Sequence, residues 1–204
     1  MNFQDNRHIF GVFDGHGGGE VAKYTKNHYE ELLKEVEEFK QGSDICEGMR
    51  KSFLQVDNSL NNGGLEEVAK TKRDNPPSKS PLMKILTDVT SKKKKAESAA
   101  NGEEEGSDDE LQLDSIGCTA NVVMVDYAAS KIYVANAGDS RCVMGREGIC
   151  VPMSFDHKPE GPVEIERIEA AGSVITDGRV DGHLNLTRAL GDLKFKKKEG
   201  LTAE

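Results

Sequence analysis

The chain has 204 residues, a length that allows one domain with a sizeable core. Because 36% of the residues are hydrophobic and 31% are charged, we expect that part of the chain does not pack into this core. Its formal net charge of -9 argues against a generic nucleic-acid binder, because a field of this sign repels phosphate backbones, although it leaves room for local basic patches. No signal-peptide pattern opens the sequence, and no run of about 18 apolar residues predicts a membrane-spanning helix.

The N-terminal part is predicted to contain a strand followed by a helix. Residues 8–14 form an apolar run that predicts a strand ending on Asp14, and the glycine-rich residues 15–19 predict a loop. From Glu20 onward, apolar side chains recur every three or four residues, which predicts a helix that ends near Gly42. The loop is therefore expected to lead directly into a helix N-terminus.

A second predicted helix is followed by a segment without an apolar pattern. Asp44 can cap this helix, whose apolar stripe fades at residues 61–64. We interpret residues from about 63 to 113 as a disordered, charged insertion. Its lysine run, residues 92–95, is a weak nuclear-import signal, and its acidic tract around Ser107 favours a basic partner or an acid-directed kinase. A solvated spacer is the simpler interpretation.

The remainder of the chain is predicted to be rich in strands. Residues 117–125 and 131–136 predict one β-hairpin, and residues 141–144 and 149–152 predict a second. Pro162 is suited to begin a helix, and Gly172 is suited to end it.

The cysteines make no C-x-x-C pair and lie mostly in apolar runs, so we expect reduced core residues. They are Cys46, Cys118, Cys142 and Cys150. Reduced thiols and the lack of a signal-peptide pattern predict a cytoplasmic or nuclear protein.

Asp14, Gly15 and His16 form the most informative polar cluster. A carboxylate at a strand end is a good ligand for a hard cation, and a tight glycine turn can offer its carbonyl oxygen as another. The adjacent histidine can transfer a proton. On local chemistry alone the triplet is equally compatible with a turn in which Asp14 accepts backbone N–H bonds.

Three further polar segments permit either chemistry or a structural role. Asp139 lies in a tight connection between two strands, where it could face a metal or form a turn. Residues 156–159 favour a turn before a helix. Residues 187–192 combine Arg188 with an acid and indicate either a substrate contact or a salt-bridged loop.

Taken in order, these segments resemble the PP2C (PPM) family of protein serine/threonine phosphatases. The N-terminal matches are Val12-Phe-Asp-Gly-His-Gly-Gly18, Gly117-Cys-Thr-Ala120 and Asn136-Ala-Gly-Asp-Ser-Arg141. The others are Asp156-His-Lys-Pro159, Glu166-Arg-Ile168 with Ala171-Gly172, Arg179-Val180 with Gly182, and Thr187-Arg-Ala-Leu-Gly-Asp192. They cover nearly everything outside the predicted insertion, and their order is as specific as their residues.

The resemblance implies an α+β fold, an α-β-β-α sandwich with two central antiparallel sheets flanked by helices. It also implies hydrolysis of phosphoserine and phosphothreonine in phosphoprotein substrates by water activated between two Mg²⁺ or Mn²⁺ ions, with a third ion bound more weakly. Asp14 resembles the bridging carboxylate, Gly15 the residue that offers a backbone oxygen, and His16 the general acid. Asp139 resembles the aspartate of the third ion. No membrane partner and no direct nucleic-acid partner are expected.

The sequence departs from the family pattern at both ends. The family's N-terminal strand carries a phosphate-binding arginine and two acidic metal ligands, for which there is no room before Asp14, and its later D-G and D-N segments are not found. We therefore expect an incomplete domain, truncated at both ends and inactive alone, because one carboxylate and a carbonyl do not suffice for two divalent ions. The alternative is a noncatalytic binding module, a pseudophosphatase for phosphoproteins or a partner kinase.

Overall fold

The computed structural model describes residues 2–4, 6–74 and 113–197, and of residues 2–4 it describes the backbone. In these ranges the α-helices are α1 (Glu20–Glu35), α2 (Glu37–Lys40), α3 (Ile45–Ser59), α4 (Leu65–Asp74) and α5 (Pro162–Ala170). The strands are β1 (Asn2–Gln4), β2 (Arg7–Val12), β3 (Gly15–His16), β4 (Gly117–Cys118), β5 (Ala120–Asp126), β6 (Lys131–Ala137), β7 (Val143–Arg146), β8 (Ile149–Pro152), β9 (Ile175–Thr176), β10 (Arg179–Val180) and β11 (Leu190–Gly191). Helices and antiparallel sheets together give the α+β fold that the sequence predicts.

The largest sheet is antiparallel and has the strand order β1-β2-β5-β6. Its register pairs Gly11 with Val122, and Val122 in turn with Ala135. A smaller antiparallel sheet has the order β11-β4-β3, while β7 pairs with β8 and β9 with β10. The hairpins predicted from the sequence are thus confirmed, with the second one shifted to residues 143–152.

The helices cover one face of the four-stranded sheet. Val122 and Met124 of β5 are fully buried and belong to the same core as Leu33 of α1 and Val56 of α3. Because side chains alternate along a strand, the residues of β2 and β6 that lie between those paired with Val122 and Met124 point to the other face of the sheet. Large apolar side chains exposed there are Phe10, Val12 and Ile132.

The predicted first helix is interrupted and the second is confirmed. At Val36 the backbone is extended, with φ -68° and ψ 126°, so α1 ends there and α2 forms a separate short turn of helix before Gly42. Asp44 caps α3 as predicted, because its carboxylate accepts a hydrogen bond from the backbone N–H of Glu47 at 3.0 Å. None of the described helices is both long and apolar enough to cross a membrane.

The predicted start of the insertion near residue 63 differs from the structure, which continues as helix α4 after a kink. Gly63 has a φ of +106°, a conformation that glycine adopts readily, and this redirects the chain at the end of α3. Val68 of α4 is fully buried, and Glu67 contacts His28 of α1 at 3.0 Å. The remaining predicted insertion, up to residue 112, lies outside the described residues.

Two local predictions were wrong. Residues 15–19 were predicted to be a loop, but Gly15 and His16 form β3, which pairs with β4. The cysteines were predicted to be core residues, yet only Cys118 is buried, and Cys46 and Cys150 are exposed. Burial raises the pKa of the Cys118 thiol to about 12, which favours the neutral thiol over the thiolate near pH 7.

Candidate active site

Asp14 lies directly after β2, where its backbone is fixed by the start of the neighbouring strand. The backbone N–H of Thr119 donates to the carbonyl oxygen of Asp14 at 2.8 Å, and the N–H of Asp14 donates to Thr119 Oγ1 at 3.2 Å. The Asp14 side chain is exposed and, among the described residues, its carboxylate has no hydrogen-bonded or ion-pair partner. The strand end therefore presents, on a fixed backbone, a carboxylate that none of the described residues pairs with.

Thr119 also connects Asp14 with the loop that carries Asp139. Its Oγ1 lies 2.8 Å from Ser140 Oγ, and Thr119 itself is only 2% exposed. The structure thus brings together the loop of Asp14 and the loop of Asp139, at the end of the sheet where β2 and β6 terminate.

His16 lies in a row of three paired strands. In the smaller sheet, His16 of β3 is opposite Gly117 of β4, and Gly117 is opposite Gly191 of β11. His16 Nε2 lies 2.5 Å from Oδ2 of Asp192, the residue that follows β11. We call these four residues, His16, Gly117, Gly191 and Asp192, the strand row.

Gly117 makes the contact across this row possible. A Cβ atom at position 117 would lie 2.5 Å from Asp192 Oδ2 and 2.7 Å from His16 Nε2, closer than a carbon atom can approach either of them. The glycine between the two outer strands therefore leaves the space in which the imidazole and the carboxylate meet.

Asp57 of α3 fixes the backbone beside Asp192. Its Oδ1 accepts a hydrogen bond from the backbone N–H of Gly191 at 2.8 Å, and its other oxygen pairs with Lys196. Burial raises the pKa of Asp57 above its ordinary value, against the opposing effect of Lys196 and of the Gly191 N–H. A buried carboxylate thus connects the helical layer to the strand row.

Asp139 lies in a second polar region, where residues 138–141 face residues 156–158. The Asp139 carboxylate pairs with the ammonium group of Lys158. Arg141 forms a bidentate ion pair with Asp156, in which its Nε and Nη2 donate to the two carboxylate oxygens at 2.8 and 2.9 Å. We call these two segments the ion-pair loops. Asp139, in contrast to Asp14, already has a cation as partner.

Glu164 of α5 explains the polar segment that begins at Thr187. Its carboxylate accepts hydrogen bonds from the Thr187 hydroxyl at 2.6 Å and from Arg188 at 2.7 Å, and Arg167 of the same helix adds another. Burial alone would raise the pKa of Glu164, but the hydrogen bonds from Arg188, Thr187 and Arg167 outweigh it and lower the pKa to about 2. The salt-bridged loop, one of the two interpretations left open by the sequence, is what forms here.

A cavity of about 670 Å³ lies between α3, α5 and residues 184–196. Its wall includes Asp192 and the cations Arg188 and Lys196. Both cations already have acidic partners, Glu164 and Asp57. The cavity therefore adjoins the strand row, and these two cations of its wall are paired within the chain.

The donor set can be tested against the metal centre that the resemblance implies. Asp14 offers a carboxylate that no described residue engages, and carboxylate oxygens are the ligands that Mg²⁺ and Mn²⁺ prefer. Asp139 is engaged by Lys158. Within residues 6–74 and 113–197, no three side chains of His, Cys, Asp or Glu are grouped so that they could hold a metal ion. The described residues therefore provide part of a hard-cation site and do not by themselves fit a two-metal centre.

Comparison with known families decides the relationship. The model of the family "Protein phosphatase 2C" matches residues 1–68 and 60–204. The chain belongs to the protein phosphatase 2C family. It is similar to "Probable protein phosphatase 2C 6" of Paramecium tetraurelia, with 36% identity over 97% of this chain and 54% of that protein. It is also 36% identical to "Protein phosphatase 2C homolog 2" of Schizosaccharomyces pombe, over 100% of this chain and 44% of that protein.

The fold is also found in a solved structure. A sex-determining protein of Caenorhabditis elegans superposes with a TM-score of 0.62 at 25% identity, over 95% of this chain and 38% of that one. The chain spans about half the length of the curated protein phosphatase 2C relatives, since it covers 54% of the Paramecium protein.

Sequence reasoning missed two residues of the site in this protein phosphatase 2C chain. Asp192 was noted only as part of a loop, and Asp57 only as part of a helix. The buried position of Asp57 among the apolar residues of α3 was a usable signal, because a charge on the buried face of a helix needs a partner. No comparable signal in the sequence pointed to the contact of Asp192 with His16.

Proposed function

We propose that this chain is part of a protein serine/threonine phosphatase that hydrolyses phosphoserine and phosphothreonine. The observation that carries the proposal is the carboxylate of Asp14, which has no partner among the described residues and precedes His16 by two positions, in a chain of the protein phosphatase 2C family. A phosphorylated protein would place its phosphate beside Asp14 and its ester oxygen towards His16.

His16 is the residue that this proposal assigns to the leaving group. Water attacks phosphorus, the ester P–O bond breaks, and the departing serine or threonine oxygen takes a proton from the His16 imidazolium. The side chain is 26% exposed, so it is held by the strand row and still accessible from solvent. A general acid of this kind typically contributes about 10² to 10⁴ in rate.

Asp14 and Gly15 are the residues that would contact Mg²⁺ or Mn²⁺, and Asp139 would contribute to a third ion only after release from Lys158. The chemistry expected of such ions is Lewis-acid activation of the attacking water. Because the described residues provide only part of the ligands, a metal-assisted reaction needs ligands beyond them. We therefore propose that the 204-residue chain alone is inactive.

A noncatalytic binding module is the competing proposal. It is favoured by one observation, namely that the described carboxylates do not gather into a metal centre. A phosphopeptide would then be bound and not hydrolysed.

The two proposals are separated by measuring phosphate release from a phosphothreonine peptide with Mn²⁺ or Mg²⁺. The assay uses the 204-residue chain and the full-length protein, meaning this chain with whatever residues its transcript adds. We expect turnover by the full-length protein, with a loss of more than about 100-fold for Asp14→Asn. Asp177→Asn, at an exposed turn, is the matched control and should leave turnover unchanged. Peptide binding without phosphate release from the full-length protein would refute the phosphatase and support the binding module.

A further inference from the structure

The contact between His16 and Asp192 joins residues that are 176 positions apart in the sequence. The His16 side chain is 26% exposed, whereas that of Asp192 is 4% exposed. One partner is therefore open to a substrate while the other is enclosed. A buried carboxylate requires compensation, and the imidazole of His16 is the side chain that hydrogen-bonds to it among the described residues.

The position of Asp192 is determined by the backbone around it. Its φ of 48° and ψ of 40° lie in the left-handed region, and its N–H donates to the carbonyl oxygen of Ile116 at 3.0 Å. Gly191 is also left-handed, with a φ of +76°, and its N–H is held by Asp57. Two successive left-handed residues, each with a bonded N–H, direct the Asp192 carboxylate to one place. An aspartate tolerates this conformation better than most residues do.

We propose that Asp192 is a positioning residue for His16, an inference that rests on the proposed phosphatase function. The carboxylate accepts the Nε2–H of the imidazole and so keeps a proton on Nε2. The other ring nitrogen, Nδ1, is then the one that exchanges a proton with the substrate.

The consequence for the reaction follows from the two ring nitrogens. In the imidazolium both nitrogens carry a proton, and Nδ1–H is given to the leaving ester oxygen as the P–O bond breaks. The oxygen of water forms the new bond to phosphorus, and the proton that water loses passes to solvent. The neutral imidazole that remains has its proton on Nε2, where the Asp192 carboxylate stabilises it. Asp192 thus favours the tautomer that the transfer produces and prevents the ring from turning.

A spectroscopic test needs no substrate and no metal. The 204-residue chain is labelled with ¹⁵N-histidine, and long-range ¹H–¹⁵N spectra at about pH 8, where an ordinary histidine is neutral, report which ring nitrogen is protonated. The His16 signals are those lost in His16→Gln. We expect the Nε2–H tautomer in the wild type, a mixture of both tautomers in Asp192→Asn, and no change in Asp177→Asn, which also replaces a left-handed aspartate. A wild-type His16 protonated on Nδ1 would overturn the proposal, even if the Asp192 variant did not fold.

A kinetic test uses the full-length protein and two leaving groups. For Asp192→Asn we expect kcat to fall by about 100-fold on an alkyl phosphate such as phosphothreonine peptide and by less than about 10-fold on an activated aryl phosphate, with KM little changed. Equal losses on both substrates, or wild-type kcat on both, would contradict the positioning role. If the wild type releases no phosphate from either substrate, it is the proposed function that fails, and the ring tautomer still decides whether Asp192 sets the state of His16.

Discussion

The strand row and the ion-pair loops are built from similar glycine-containing polar motifs, but they hold their charged groups differently. In the strand row, Asp192 is buried against an imidazole that is still partly open to solvent, and Asp14 nearby has no ion pair among the described residues. In the ion-pair loops, Asp139 and Asp156 each have a cation of their own. A motif that looks reactive in the sequence can therefore be either available for chemistry or already neutralised.

Burial is the physical difference between the two regions. The Asp57 side chain that supports the strand row is 4% exposed, whereas the paired side chains of the ion-pair loops are between 23% and 60% exposed. Exposed pairs are screened by water and contribute little to stability, while a buried polar group that loses its partner destabilises the fold. Substitutions of residues in or beside the strand row should therefore lower the free energy of unfolding more than substitutions in the ion-pair loops.

The largest effect on stability is expected at Asp57. Asp57→Ala leaves the Gly191 N–H and the Lys196 ammonium without their acceptor and should lower the free energy of unfolding by roughly 2–4 kcal/mol. Asp57→Asn keeps an acceptor for the Gly191 N–H and should cost less than half as much. Urea unfolding of the three proteins measures the differences. Equal costs for Ala and Asn would show that the carboxylate does not fix β11.

The pH dependence of that effect has a definite sign. The pKa of Asp57 is raised in the folded state. The part of the free energy of unfolding that comes from this shift is therefore fully present below the ordinary pKa of an aspartate, near 3.8, and is lost as the pH rises through the pKa of folded Asp57. Asp57→Asn removes this pH dependence of the free energy of unfolding. The urea midpoints of wild type and variant, measured at a series of pH values, report the difference.

Gly117→Ala is expected to have the next largest effect. The added methyl group would lie 2.5 Å from Asp192 Oδ2, so the strand row must shift, at a cost of roughly 1–3 kcal/mol. Gly145→Ala in the hairpin of β7 and β8 is the control, because a Cβ atom there meets nothing within 4 Å. Thermal melting compares the two variants, and similar melting temperatures would contradict the crowding at Gly117.

A smaller effect is expected at Glu164, which joins α5 to residues 187–188. Glu164→Gln weakens its bonds with Arg188 and Arg167 and should cost roughly 1–2 kcal/mol near pH 7. The pKa of about 2 lies below the ordinary value near 4.5, so the stabilisation is present above about 4.5 and is lost as the pH falls towards 2. The difference in urea midpoint between wild type and variant should therefore shrink on acidification. A constant difference from pH 7 to pH 2 would argue against this assignment.

The smallest effect is expected in the ion-pair loops. Lys158→Met removes the partner of Asp139 but keeps most of the side-chain volume, and it should change the free energy of unfolding by less than about 1 kcal/mol. The effect of the substitution should also become smaller with added salt, because salt screens a pair whose side chains are 37% and 24% exposed. A loss as large as that of Asp57→Ala would remove the distinction between the two regions.

Much of the fold could be predicted from local patterns. The apolar spacing of α3 and its cap at Asp44, the strand before Asp14 and the hairpins after residue 117 depend on neighbours in the sequence, and all were confirmed. Helix α4 was not predicted, because its single buried residue, Val68, is too little to mark an apolar face. Its helical state depends on packing against α1, which a local pattern cannot indicate.

The sequence by itself determined the family and the order of the motifs, since the strand-end aspartate, the glycines and the histidine are written consecutively in the chain. Only the tertiary structure decided which charged groups meet. Antiparallel pairing of β3, β4 and β11 brings His16 to Asp192, and the facing loops bring Lys158 to Asp139. These contacts depend on the registers of strands and loops distant in the chain, and a register is strongly specified only where one face of the sheet is buried against the rest of the fold.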